Sequence, residues 1–131
     1  MIGLDTNVLV RYLVQDDPDQ ARRATAVIEG ASSRGDVLYL AVITLCELVW
    51  VLESAYDRPR AEIASALEQI VRTGGFTVEH ADLVREAIDV YRSTSADFAD
   101  ALVGRLNEAA GCTKTLTFDR GLKRVPQFQV L

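Results

Sequence analysis

The sequence predicts an α/β fold, a mostly parallel central β-sheet flanked by helices in an α/β/α sandwich, and two observations predict it. Short apolar runs that read as strands alternate with longer stretches of helical periodicity, joined by short connections. Acidic residues recur where those strands end or their neighbouring helices begin, the edge at which open parallel sheets place their ligands. The 131 residues fit one domain, 1–131, long enough to bury about two-thirds of its unfolded surface, with no linker and no internal repeat.

Residues 1–4 read as a short strand buried on both faces, and Asp5 falls where it should end. Asn7 reads as a helix cap, with Val8, Leu9, Tyr12 and Leu13 spaced as on a helix packed against a sheet. Asp17-Pro18-Asp19-Gln20 reads as cap, first-turn proline, acid and capping-box partner, predicting a helix over 18–30. Capping and dipole compensation then account for Asp16, Asp17 and Asp19. A second strand is expected over 37–42, followed by a helix over 45–56 that carries almost no polar stripe and so must be covered by the domain or by a partner. A subunit or partner interface is expected on part of this surface, including Trp50.

An amphipathic helix follows over 60–72, closed by Gly74-Gly75, then a short third strand over 76–78 and a helix over 81–92. His80, the only histidine, reads as a helix-start or surface residue. Thr94 or Ser95 is expected to cap a helix running to Gly111, which puts Asp97 in its first turn and Asp100 about a turn further in. Residues 114–118 read as a fourth strand, ended by Asp119 before a turn.

Composition narrows the functional classes. A net charge of −5 argues against holding nucleic acid by a basic surface alone, although twelve of the fourteen cations are arginine, the side chain suited to bidentate phosphate contacts. No apolar run reaches the length of a membrane span and the N-terminus lacks signal-peptide character, which predicts a cytoplasmic protein. Cys46 and Cys112 lack metal-ligand spacing and read as small core residues.

The acids carry the chemistry. Asp5 and Asp119 end strands, Glu47 lies early in the helix after the second strand, and Asp100 lies early in the helix before the fourth. Right-handed crossovers are expected to bring these four to one sheet edge. Glu47 has Ile43, Trp50 and Val51 as helical neighbours, an apolar setting that an unpaired carboxylate tolerates poorly. Carboxylates gathered closely repel, by about 4 kcal/mol per pair at 4 Å and an effective dielectric of about 20. An all-oxygen, acid-rich set without histidine or cysteine suits a hard cation such as Mg²⁺ or Mn²⁺.

The start LDTNVLV, a glutamate in the helix after the second strand, the segment DFADAL and the closing TLTFDRGL occur in that order across essentially the whole chain. In this the sequence resembles the PIN-domain nucleases, specifically the VapC-type toxins of bacterial toxin–antitoxin pairs. The resemblance implies a Mg²⁺- or Mn²⁺-dependent endoribonuclease that hydrolyses RNA phosphodiester bonds with metal-activated water, leaving a 5′-phosphate and a 3′-hydroxyl. It also implies a VapB-like antitoxin and a homodimer. By matching position, Asp5 and Asp100 resemble the principal metal ligands, and Glu47 and Asp119 the acids that complete the site directly or through water. Thr6, Asn7 and Thr117 would orient those carboxylates, and Asp97 would be an accessory acid or a cap.

The residues also allow other readings. A receiver-type phosphoacceptor domain wants adjacent acids after its first strand, where this chain has Thr6-Asn7, and a late lysine where it has Asp119. A dehalogenase-type phosphatase wants a second acid at the position of Asn7. A PIN nuclease of RNA processing rather than a toxin, and an α/β interaction module without activity, complete the alternatives.

Overall fold

Strands and helices alternate along the chain as the periodicity predicts, and every strand pair is parallel in the computed structural model, which describes residues 1–131. The chain forms two compact units, Met1–Ala81 and Asp82–Leu131.

The first unit contains β1 (Ile2–Gly3), α1 (Thr6–Val14), α2 (Pro18–Arg34), β2 (Leu38–Leu40), α3 (Val42–Ser54), α4 (Arg60–Arg72) and β3 (Phe76–Val78). The strands lie in the order β1-β2-β3, with Ile2 beside Leu38 and Leu38 beside Phe76. Leu9, Leu38, Leu40, Leu45, Leu48, Ile63 and Leu67 are its largest fully buried side chains. α1 packs on α2 and α3, α4 packs on α3 and β3, and Leu38 and Leu40 of the central strand β2 are buried.

Several local expectations change here. β1 is not buried on both faces: Ile2 and Gly3 are exposed on an edge strand, and only Leu4 turns inward. Asp5, not Asn7, caps α1, its Oδ1 accepting from the Thr6 N–H at 2.8 Å. Asp17 caps α2 as predicted, accepting from the Gln20 N–H. Gln20 does not return a capping-box bond, because its Oε1 accepts from Arg11 Nε instead. α2 runs through Gly30 to Arg34, whose guanidinium folds back across Gly30, in space a Cβ would fill, to the carbonyls of Ala26 and Val27. The stop comes at Gly35, with φ 73°.

α3 begins at Val42, earlier than expected, because its cap is supplied from elsewhere in the fold. Ala41 has no capping side chain, and Glu79, just past β3, accepts from the Val42 N–H at 2.9 Å. Nor is α3 covered all round: Ile43 and Trp50 are 66% and 69% exposed. Cys46 is only half-buried and Cys112 is exposed, so neither is a core residue.

The second unit contains nearly all of α5 (Ala81–Ser93), then α6 (Phe98–Ala109), β4 (Thr115–Thr117), a 3₁₀ turn (Arg120–Leu122) and β5 (Phe128–Val130). Tyr91 and Phe98 are fully buried and meet edge to face, their ring centroids 6.2 Å apart. β5, absent from the sequence reading, pairs with β4. α6 approaches it closely at Gly104, where a Cβ would sit 2.7 Å from the Phe128 ring. Thr94 and Ser95 do not start α6. The Thr94 hydroxyl donates to the Val90 carbonyl and accepts from the Ala96 N–H, binding the segment to the end of α5. No helix in either unit is long and apolar enough to cross a membrane.

Candidate functional site

In the first unit an open depression of about 310 Å³ is lined by Asp5, Thr6, Asn7, Arg11, Glu47 and Tyr56 among others, so the structure brings four of the expected residues together. The Asp5 carboxylate spends Oδ1 on its capping bond and has no protein partner at Oδ2. Glu47 is exposed, so burial among apolar neighbours does not explain it. Ile43 and Trp50, beside it on α3, face solvent too. Thr6 is 7% exposed, yet its hydroxyl bonds to no carboxylate and has no hydrogen-bond partner at all. A buried orphan hydroxyl beside a half-open carboxylate is the mark of a place prepared for a polar ligand. Asn7 lies within α1 on the rim of the same depression.

Two side chains of this wall escaped the sequence reading. Arg11 Nη1 donates to Asp16 Oδ1 at 2.9 Å and to the Tyr56 hydroxyl at 3.1 Å, and that hydroxyl donates to Asp16 Oδ2 at 2.7 Å. Asp16 is thus a partner of Arg11 and Tyr56, not a cap. The Tyr56 bond and the Arg11 charge hold its carboxyl below the usual carboxylate range. Arg11 and Tyr56 are 45 positions apart, and only an arginine on a helix otherwise read for its apolar face offered a signal.

In the second unit Asp97 caps α6 by backbone position alone, since its side chain makes no capping bond. Asp100 is therefore the third helical residue, inside the first turn and not a turn beyond it. Asp119 accepts from the Gly121 N–H at 2.8 Å, while the Thr117 hydroxyl accepts from the Asp119 N–H at 3.0 Å. Thr117 thus orients Asp119 through its backbone. Partial burial pushes the Asp100 carboxyl above its usual range, and the charges of Asp97 and Asp119 push it further. None of the five acids pairs with an arginine or lysine.

Asp97 and Asp119 thus raise the cost of ionising Asp100. In neither unit do three His, Cys, Asp or Glu side chains close into a ready metal-ligand group.

The profile of the PIN domain matches residues 2–127. The chain belongs to the PIN-domain family. The match takes in every acid described above and both compact units. This PIN-domain chain is also similar to a VapC ribonuclease of Aquifex aeolicus (strain VF5), with 29% identity over 122 residues that cover 93% of this chain and 90% of that protein.

Proposed function

We propose that this PIN-domain protein is a VapC-type toxin, a Mg²⁺- or Mn²⁺-dependent endoribonuclease held in check by a VapB-like antitoxin in the cytoplasm. The observation that carries the reading is the crowding of Asp97, Asp100 and Asp119 in a chain similar over 93% of its length to a VapC ribonuclease. Carboxylates forced together without cationic partners cost stability, and a cation-dependent reaction supplies the reason to keep them.

Asp5 and Asp100 would hold the divalent ion, with Glu47 and Asp119 assisting directly or through water and Asp97 adding negative charge. When bound, the ion supplies charge neutralisation at the phosphodiester and lowers the pKa of water. The chain's own residues prepare for it. Asp5 keeps Oδ2 free, Glu47 stands unpaired with both oxygens open, and Thr117 fixes the backbone from which Asp119 projects. Asp100 is the acid whose proton a cation must displace, so binding should release protons near its raised titration range. Ile43 and Trp50, seven positions apart on α3 and both exposed, offer the apolar strip for a homodimer contact.

The test compares purified wild type with Asp100→Asn on mixed RNA, in Mn²⁺ or Mg²⁺ and then in EDTA. Cleavage that requires both metal and Asp100 is the expected result. Equal cleavage by the variant, or cleavage that survives EDTA, would overturn the assignment.

A further inference from the structure

The guanidinium of Arg11 is held at three points and left open at one. Nε donates to Gln20 Oε1 at 2.7 Å, and both Nη1 hydrogens are taken by Asp16 and the Tyr56 hydroxyl. Three of its five donors are spent, and the two on Nη2 have no protein partner. Its partners come from the α1–α2 loop, from α2 and from the segment after α3, so the fork is fixed before any ligand arrives. Arg11 forms no ion pair with Asp5 or Glu47, although all three line one depression. A brace alone would not need a position on that wall.

The same arginine lines a second open groove, of about 320 Å³, between α1 and α2. Asn7 and Arg11 border both hollows, and Arg23 lies in the second. Arg23 is highly exposed, and its one ionic neighbour, Asp19, is 3.8 Å away, beyond hydrogen-bonding distance. Arg11, fixed by its partners, is thus common to both hollows, and Arg23 stands exposed in the second.

We infer that Arg11 holds a backbone phosphate of the RNA strand beside Asp5 and Glu47 through its free Nη2 edge, and that the strand continues along the α1–α2 groove past Arg23. The inference rests on the nuclease reading above and names the arginine that serves it. Arg11 offsets the repulsion between carboxylates and an incoming phosphate, and its two Nη2 hydrogens remain to donate to a phosphate oxygen. The ties to Asp16, Tyr56 and Gln20 make it a positioning residue of high precision.

The experiment measures binding of a short, mixed-sequence single-stranded RNA by full-length protein across a salt series, with Ca²⁺ replacing Mg²⁺ to hold cleavage back. Each phosphate contact by a cation contributes about 0.7 to the slope of log affinity against log salt for single strands. Arg11→Gln should lose about tenfold in affinity and lower that slope by about 0.7. Tyr56→Phe, which loosens the brace but keeps the charge, should leave the slope unchanged. An unchanged slope in Arg11→Gln, with wild type binding RNA, overturns the inference and leaves the nuclease reading standing. No RNA binding or cleavage by metal-loaded wild type overturns that reading itself. Should Arg11→Gln fail to fold, phenylglyoxal modification of wild type decides. RNA should protect Arg11, and equal modification with and without RNA refutes the contact.

Discussion

The acids of the first unit and those of the second present carboxylate oxygens under opposite electrostatic conditions. Asp5 and Glu47 are exposed, and the wall they share carries a fixed arginine. Asp97, Asp100 and Asp119 share one neighbourhood without a cationic partner, and Asp100 is pushed up by burial and by the other two. In the second unit, burial and like charge make Asp100 the costlier acid to ionise.

The sharpest way to break this contrast is Asp100→Asn. Cleavage in Mn²⁺ should fall by about 10² or more, since a proposed ligand of the ion that neutralises the phosphodiester is removed. The same change should raise the melting temperature of metal-free protein at neutral pH by about 2 °C, because the strained charge is gone. Loss of activity with loss of stability would show Asp100 to be a structural acid. Gly104→Ala should cost about 1–3 kcal/mol in chemical denaturation, by driving a methyl group into Phe128 under the acid cluster of the second unit.

Glu79→Gln tests the first unit at its frame, and removing the charge that caps α3 should cost about 1 kcal/mol by the same measurement. Glu47→Gln should change stability by less than about 0.5 kcal/mol while reducing cleavage, as expected of an exposed acid kept for chemistry. The pH dependence of melting separates the units in sign. Asp100 titrates above its ordinary value in the folded chain, so the folded state retains a proton that the unfolded state has lost. Its contribution is present below the ordinary carboxylate value and lost as pH rises through the raised one. Asp16 is held low by Tyr56 and Arg11, so its contribution is present above the ordinary value and lost as pH falls through the lowered one. Asp100→Asn should remove the first loss and leave the second.

Much of this was legible in the residues. The cap at Asp17, the bounds of α4 and the strand at 76–78 follow from chemistry within a few positions, and each stands where the pattern places it. Asp100 stood out because a position about a turn inside the helix, beyond capping reach, is a poor one for aspartate. The argument for Asp100 nevertheless needed a different basis. α6 starts later than its threonine and serine suggest, because Thr94 turns back to α5, so Asp100 sits in the first turn and its cost comes from neighbours, not from helix propensity. Glu47 likewise draws its interest from exposure beside a pocket, not from apolar burial.

The sequence by itself determined the alternation of parallel strands and helices, the bounds of α4 and α5 and the set of acids, because periodicity and capping act over a turn or two of chain. Tertiary structure alone decided that Glu79 caps α3, that β5 joins β4, and that Arg11, Asp16, Gln20 and Tyr56 lock together. Those outcomes depend on groups many positions apart meeting within about 3 Å, a distance at which hydrogen bonds form and which no local pattern encodes.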